Sequence, residues 1–243
     1  MLDTARASWE DVSAAIGRGL VAVLPVGAVE QHGAHLPLLT DTVMATGVAR
    51  RIAEGCDGLL LPAIAYGDAW TAEGWAGTLS LSPDTLRATV LDIGRGLQRM
   101  GVRGLVTVNG HFGNREPISL AARALSETGF PVLHLDYPGL ERLAAEVMES
   151  KPAGPGFYHA DEVETSIMLA LAPQTVRMEL AQPEYPEFPE LFGSEPVPLN
   201  TFNASGVFGD PRPATAEKGE AMIAGIAAES LRLIELWRSK HAI

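Results

Sequence analysis

The feature that most constrains the fold is an apolar, strand-like run, residues 20–26, that leads into a loop rich in potential metal ligands. Open α/β sheets place their ligands at the carboxyl ends of buried parallel strands, and this loop begins at such an end. Carboxylates and neutral imidazoles suit a divalent ion such as Zn²⁺, Mn²⁺ or Fe²⁺. The pattern therefore indicates a metal site, although Asp41 alone would also suit the cap of a helix starting near Thr42. The polar side chains of the loop are Glu30, His32, His35 and Asp41.

Composition limits the class of protein. With 243 residues, 47% hydrophobic and 20% charged, the chain is an ordinary globular sequence, and we expect one domain spanning residues 1–243. The net charge of -12 argues against nucleic acid or an anionic membrane as a partner, because both attract basic surfaces, and favours a small-molecule substrate. The single cysteine, Cys56, excludes an intramolecular disulfide and a thiolate zinc cluster. Neither a secretory leader nor a membrane-spanning run is apparent, so we expect a cytoplasmic protein.

Strand-like and helix-like segments alternate along the chain. This rhythm predicts an α/β protein with three α/β/α layers and a central, mainly parallel sheet. The proline-rich segment 173–213 lacks steady periodicity, and we expect it to cross the surface or to reach a neighbouring subunit. The predicted strands are 21–26, 59–62, 105–108 and 131–135, and the predicted helices are 42–54, 83–100, 116–127, 140–149 and 214–237.

A second polar cluster, residues 109–114, follows the strand predicted at 105–108. Its glycines permit close backbone approach, so His111 could face an ion held by the first loop. Asn109 and Asn114 could orient His111 or bind a substrate carbonyl group. The alternative is a glycine-rich turn that carries a partly exposed histidine.

A third cluster, residues 159–166, precedes an apolar run. Asp161 and Glu164 have the spacing of a helix-capping pair, but a cap does not explain His159 or Glu162. We therefore expect Glu164 to bind metal and His159 to be an acid/base or substrate-binding group. In a separate loop, residues 66–77, two tryptophans either anchor the loop or contact substrate.

Together the three clusters, with the segment 75–83 between the first two, resemble the creatininase family of metal-dependent amidohydrolases. The resemblance spans roughly residues 21–171 and implies an α/β fold with a central parallel sheet. It also implies a binuclear metal centre, hydrolysis of cyclic amides or formamides, and a homo-oligomer, often a hexamer. Carried over by position, Glu30 and His111 would hold one ion, His32 and Glu164 would hold the other, and Asp41 would bridge them.

The chemistry expected of such a site is hydrolysis by an activated water. Two divalent ions, Zn²⁺, Mn²⁺ or Fe²⁺, could lower the pKa of a water and polarise the amide carbonyl group. His159 would then protonate the departing nitrogen, and no serine or cysteine with a partnered base suggests a covalent route. The catalytic candidates are His159 and Glu162, and the substrate-binding candidates are Trp70, Trp75, Phe112, Gly113, Asn114 and Tyr158.

Departures from the family pattern bear on the substrate. Creatininase proper carries Tyr-Glu where this chain has Phe112-Gly113, and it uses tryptophans where this chain offers Phe157 and Tyr158. We therefore expect creatinine to be a poor substrate. Two alternatives stay open: a peptidase of a short peptide, similar to the mycofactocin precursor peptidase, and a non-catalytic binding module on the same fold.

Overall fold

The computed structural model describes residues 1–243 and contains a five-stranded sheet in which every pair of neighbouring strands is parallel. The strand order is β1-β3-β2-β4-β5. This architecture confirms the predicted α/β fold with a parallel sheet. The strands are β1, Leu2–Asp3; β2, Ala22–Val26; β3, Leu59–Leu60; β4, Leu105–Asn109; and β5, Val132–Leu135.

Seven α-helices connect and follow the strands. β1 and the first helix were not predicted from the sequence, although Ser8 and Asp11 form a capping box at the helix start. The helices are α1, Trp9–Gly17; α2, Thr40–Gly55; α3, Pro83–Arg99; α4, Arg115–Glu127; α5, Leu140–Val147; α6, Glu162–Leu171; and α7, Ala216–His241. None of them is both long and apolar enough to cross a bilayer.

Each face of the sheet carries its own hydrophobic core, because successive strand residues point to opposite faces. Val23 packs in a core that includes residues of α2, α6 and α7. Its neighbours Ala22 and Leu24 pack in a second core with residues of α3 and α4. Burial on both faces explains why β2 is a continuous apolar run instead of an alternating one.

The segment between α6 and α7 contains only short 3₁₀ turns, as its lack of periodicity predicts. It does not simply cross the surface, however. Its end forms an isolated bridge from Phe208 to His159, and the Phe208 side chain is fully buried. The segment therefore covers the third polar cluster. The aromatic rings that pack together there are Phe157, Phe188, Phe192, Phe202 and Phe208.

Candidate metal centre

Three loops meet at the carboxyl edge of the sheet, where β2 and β4 are adjacent. Val26 pairs with Asn109, and the Gly110 N–H donates to the Val26 carbonyl oxygen at 2.9 Å. This contact joins the loops that follow the two strands. The start of α6 lies on the other side of the site, on the face of the sheet where Val23 is packed. The five buried side chains collected there are Glu30, His32, Asp41, His111 and Glu164.

These five side chains form two groups of potential metal ligands that share Asp41. In one group, Nδ1 of His111 lies 2.9 Å from Oε2 of Glu30 and 3.1 Å from Oδ2 of Asp41. In the other, Nε2 of His32 lies 3.1 Å from Oδ1 of Asp41 and 3.5 Å from Oε2 of Glu164. The two oxygens of Asp41 therefore face different histidines, as a bridging carboxylate requires.

Backbone carbonyl groups orient both histidine rings. Nδ1 of His32 lies 3.0 Å from the Glu30 carbonyl oxygen, and Nε2 of His111 lies 2.8 Å from the Asp68 carbonyl oxygen. A carbonyl oxygen only accepts, so each of these ring nitrogens donates. The opposite nitrogen of each ring then points into the cluster, which is the arrangement found around metal-bound histidines.

The electrostatics of the cluster fit bound cations. Oε2 of Glu30 and Oδ2 of Asp41 are buried and make no well-aligned hydrogen bond, although Nδ1 of His111 lies within 3.1 Å of both. Burial lowers the pKa of His32, but the charges of Asp41 and Glu164 outweigh it and raise that pKa to about 10. Burial likewise lowers the pKa of His111, yet Glu30 and Asp41 raise it well above its usual value. The cluster thus retains positive charge against its three carboxylates, and divalent ions can supply that charge in place of protons.

The structure also decides between the two interpretations of Asp41. Asp41 lies within the first turn of α2, and the residue at the cap, Leu39, makes no side-chain capping bond. The Asp41 carboxylate instead faces the two histidines. It is a member of the cluster and not a helix cap.

Asp161 and Glu164, in the third cluster, make different contacts. Asp161 caps α6, because its Oδ1 accepts hydrogen bonds from the N–H groups of Val163 and Glu164. The Glu164 carboxylate turns back into the site and accepts from the Ala160 N–H at 2.6 Å. Ala160 has a φ of 52°, an uncommon left-handed conformation that places this N–H next to the carboxylate.

Glu162 is not brought to the cluster, contrary to its selection as a catalytic candidate. Its buried carboxylate accepts from Lys218 Nζ at 2.6 Å and from the N–H groups of Glu149 and Ser150. Residues two apart on an α-helix point in directions about 200° apart. Because Glu164 faces the ligand cluster, Glu162 faces nearly the opposite way and joins α6 to α7.

His159 lies beside the ligands. Its ring centroid is 4.5 Å from that of His32, and its Nε2 lies 2.8 Å from Nε2 of Gln31. The Gln31 Nε2 also donates to the Gly206 carbonyl oxygen, so the amide nitrogen donates to His159. Burial and the neighbouring His32 lower the pKa of His159 to about 4. His159 is therefore a neutral base whose Nε2 accepts a hydrogen bond, and with Glu30 and His32 it forms a third group of close ligand atoms.

Two residues that sequence analysis missed position the site. Gln31 contacts His159, and Asp68 provides the carbonyl oxygen that orients His111. Gln31 carries a local signal, since it stands between Glu30 and His32 in the first motif. No sequence pattern indicates Asp68, because it contacts His111 through its backbone carbonyl group from a distant loop.

Two other polar candidates of the first and second clusters hold loops in place. Nε2 of His35 lies 2.9 Å from Oγ1 of Thr165, at the side of the cluster. Asn114 is fully buried, accepts from the Asp68 N–H at 2.9 Å and donates to the Gly27 carbonyl oxygen at 2.9 Å. Its polar atoms are therefore occupied by loop contacts and not turned toward a substrate.

Gly113 has no room for a side chain. A Cβ atom there would collide with the Asp68 carbonyl oxygen and lie 2.9 Å from Nε2 of His111. Absence of a side chain at position 113 therefore preserves the contact that orients His111. A direct substrate contact by Gly113 would be limited to its backbone.

The aromatic candidates lie in the surrounding loops and cavities. Phe112 is 67% exposed, and the guanidinium carbon of Arg115 lies 4.2 Å from its ring centroid. Trp70 is 40% exposed, and the Trp75 indole N–H lies 3.5 Å from the Ala204 carbonyl oxygen. Tyr158 lines a cavity of about 500 Å³. None of these four side chains hydrogen-bonds to the five-residue cluster.

Similarity to known proteins agrees with this geometry. A family model for creatinine amidohydrolases matches residues 5–234. The chain is 34% identical to a creatinine amidohydrolase from Pseudomonas putida, over 89% of each sequence. It is also 34% identical to a mycofactocin precursor peptide peptidase from Mycobacterium tuberculosis, over 88% of this chain and 84% of the relative.

Solved structures extend the match to the whole fold. A manganese form of creatininase superposes with a TM-score of 0.81 at 31% identity, over 99% of this chain and 98% of the other. A zinc form of a creatininase mutant superposes with a TM-score of 0.80 at 31% identity, over 98% of each chain. The chain therefore belongs to the creatininase family of hydrolases.

Proposed function

We propose that the protein hydrolyses a non-peptide C–N bond, in a cyclic amide or a formamide, at a centre that holds two divalent ions. The observation that carries this proposal is the orientation of Asp41, whose two oxygens face His111 and His32 separately. One carboxylate placed between two ligand groups suits a pair of ions better than a single ion. The similarity to a creatinine amidohydrolase supports the choice of a C–N bond.

The donors proposed for the ions are nitrogen and oxygen atoms only. Glu30, Asp41 and His111 would hold one ion, and His32, Asp41 and Glu164 the other. This donor set accepts Zn²⁺, Mn²⁺ or Fe²⁺. Such ions would polarise the substrate carbonyl group and lower the pKa of the attacking water.

Chain residues supply the proton chemistry. The buried, neutral His159 would take up a proton at Nε2 during attack, with release of the Gln31 amide from that nitrogen, and would deliver the proton to the departing nitrogen. Gln31 donates to its Nε2 and holds the ring beside the ligands. The covering segment, which places Phe208 against the His159 ring with centroids 5.8 Å apart, limits access of bulk water to that ring.

A substrate panel tests the proposal. Metal-replete protein is assayed with lactams, hydantoins, imides and formamides, and the same protein stripped by a chelator is the control. We expect hydrolysis of at least one compound, loss of activity on stripping, and recovery on adding back one of the three metals. Activity that survives complete removal of metal would contradict the proposal.

A peptidase of a short peptide is the second candidate, favoured by the 34% identity to the mycofactocin precursor peptide peptidases. The same metal centre would serve it, because a peptide bond is also a C–N bond. Peptides of two to ten residues are therefore included in the panel. A kcat/KM for a peptide that exceeds every small amide by tenfold or more would favour the peptidase.

We also propose that the protein is a cytoplasmic homo-oligomer. Apolar side chains that are exposed in the single chain, among them Leu38, Leu79 and Leu120, support self-association. Light scattering coupled to size-exclusion chromatography tests this, and a mass of one 25.8 kDa chain at micromolar concentration would contradict it.

A further inference from the structure

Tyr137, two residues beyond β5, combines two features that cost stability. The residue is only 9% exposed, but its hydroxyl oxygen is buried and has no hydrogen-bond partner. Its backbone has a φ of 45°, in the left-handed region that residues other than glycine rarely adopt. Unsatisfied buried donors and strained backbones are concentrated at functional sites. Since no contact within the chain satisfies this hydroxyl, its partner should be a bound molecule.

The hydroxyl group lies beside Gly110, the residue that precedes His111. A Cβ atom at Gly110 would be 3.0 Å from the Tyr137 hydroxyl oxygen and 2.5 Å from the Asp41 carbonyl oxygen. The hydroxyl therefore packs against the turn that carries His111, and the same turn packs against the start of α2. Burial, together with the charges of Asp41 and Glu164, raises the pKa of the Tyr137 phenol well above its usual value. Under ordinary conditions the group keeps its proton and is a hydrogen-bond donor.

Neighbouring contacts fix the position of this donor. The Asp136 carboxylate accepts from Asn109 Nδ2 at 2.9 Å and pairs with Arg115 at 2.5 Å. Asn109 Nδ2 also donates to the His111 carbonyl oxygen at 2.7 Å. Asn109 therefore connects the turn that carries Tyr137 to the turn that carries His111. Other atoms of Tyr137 line the 500 Å³ cavity, together with Asp136 and Arg115.

We propose that Tyr137 is a catalytic hydrogen-bond donor to the substrate oxygen that gains negative charge when water attacks the scissile carbonyl carbon. No bond to the phenol is made or broken, and the proton stays on its oxygen throughout. The geometry of a buried, prepositioned and otherwise unpaired hydroxyl is that of an oxyanion-stabilising group. This role rests on the proposed amide hydrolysis.

The kinetic test uses Tyr137→Phe, which removes only the hydroxyl group. On the best substrate of the panel we expect kcat to fall about 10²-fold with little change in KM, the usual effect of losing one such donor. Metal content should be unchanged, and Tm unchanged or higher because an unsatisfied buried hydroxyl is removed. Tyr185→Phe is the matched control, since its hydroxyl donates at the surface to the Lys151 carbonyl oxygen. A kcat within twofold of wild type, or a parallel loss of metal and Tm, would overturn the proposal.

A binding test separates this role from the proposed reaction. Inorganic phosphate, a tetrahedral oxyanion, is titrated calorimetrically into metal-replete wild type, Tyr137→Phe and Tyr185→Phe. We expect the Kd of Tyr137→Phe to rise about tenfold, as for loss of one hydrogen bond to a charged group. If wild type hydrolyses no compound in the panel, the proposed function fails, but this difference in Kd would still support the donor. Equal Kd values for wild type and Tyr137→Phe would overturn it.

Discussion

The side-chain amide of Gln31 donates to Nε2 of His159 at 2.8 Å and holds the His159 ring against His32. The two adjacent histidines have opposite electrostatic properties. His32 faces two carboxylates and has a raised pKa, whereas His159 is buried next to that positive charge and has a lowered pKa. The carboxylates that raise the pKa of His32 would equally favour a metal cation in place of the proton on the nitrogen that faces Asp41. His159 is suited to exchange a proton with a substrate.

Replacing His159 should therefore reduce turnover more than metal binding. We expect His159→Ala to keep its metals while kcat falls by about 10²-fold or more, the usual effect of losing a general acid or base. The measurements are elemental analysis and steady-state kinetics on the same preparation. His241→Ala, an exposed histidine at the end of α7, is the control. A collapse of metal content in His159→Ala would identify His159 as a ligand.

Replacing Asp41 should affect both ions at once. Each of its oxygens belongs to a different ligand group, so Asp41→Ala should lower metal occupancy at both positions. Asp92→Ala, on the exposed face of α3, should retain the wild-type metal content. Elemental analysis after dialysis against metal-free buffer provides the measurement. Full occupancy in Asp41→Ala would indicate that another group bridges the ions.

Glu162 and Glu164 provide a matched pair on one helix. Glu164→Gln should lose metal and activity, because its carboxylate lies 3.5 Å from Nε2 of His32. Glu162→Gln should keep both but lose about 1–3 kcal/mol of unfolding free energy, because the buried hydrogen bond from Lys218 becomes weaker. Metal analysis and urea denaturation separate the two effects. The reverse pattern would exchange the roles of the two residues.

The same ion pair predicts a pH dependence of stability. Burial raises the pKa of Glu162, but hydrogen bonds from Lys218 and Ser150 outweigh it, so the net pKa lies below the ordinary value of 4.5. The stabilisation is therefore complete above pH 4.5 and is lost as the pH falls through the lower, folded-state value. Urea denaturation at pH 3 to 7 should show a smaller decrease of stability with falling pH in Glu162→Gln than in wild type. Parallel profiles would contradict this.

Creatinine should be a poor substrate. Gly113 stands where creatininase proper has an acid, and no side chain fits there without displacing the Asp68 carbonyl group that orients His111. A substrate that requires that acid would leave polar groups unpaired, which costs orders of magnitude in kcat/KM. Creatinine is compared with the amide panel on metal-replete protein. Creatinine as the best substrate, with kcat/KM near about 10⁴ M⁻¹s⁻¹, would contradict the expectation.

Sequence patterns were sufficient for most of the fold because they are local. Buried strands such as β2 are continuous apolar runs. The start of α3 is indicated by Ser82 at the cap and Pro83 in the first turn. β1 has only two residues and pairs with β3 through long-range contacts, so no periodicity could reveal it. The path of the segment 173–213 depends on aromatic packing with Phe157 and Phe208, which sequence spacing does not encode.

The candidate site was likewise predictable from the sequence only in part. Glu30, His32, Asp41 and His111 follow two strands that were predicted to be parallel, and the structure brings them together with Glu164. The direction of a side chain was harder to predict. Glu162 is adjacent in sequence to the ligand cluster but turns toward Lys218 in α7, 56 residues away. Tyr137 had no signal at all, since its importance comes from a missing hydrogen bond.

The most direct test of the central claim is a crystal structure of metal-replete protein with anomalous diffraction measured on both sides of the metal absorption edge. We expect two anomalous peaks, one among Glu30, Asp41 and His111 and the other among His32, Asp41 and Glu164. Both peaks should contact Asp41, one at each carboxylate oxygen. A single peak in fully loaded crystals, or two peaks of which one does not contact Asp41, would contradict a binuclear centre bridged by this residue.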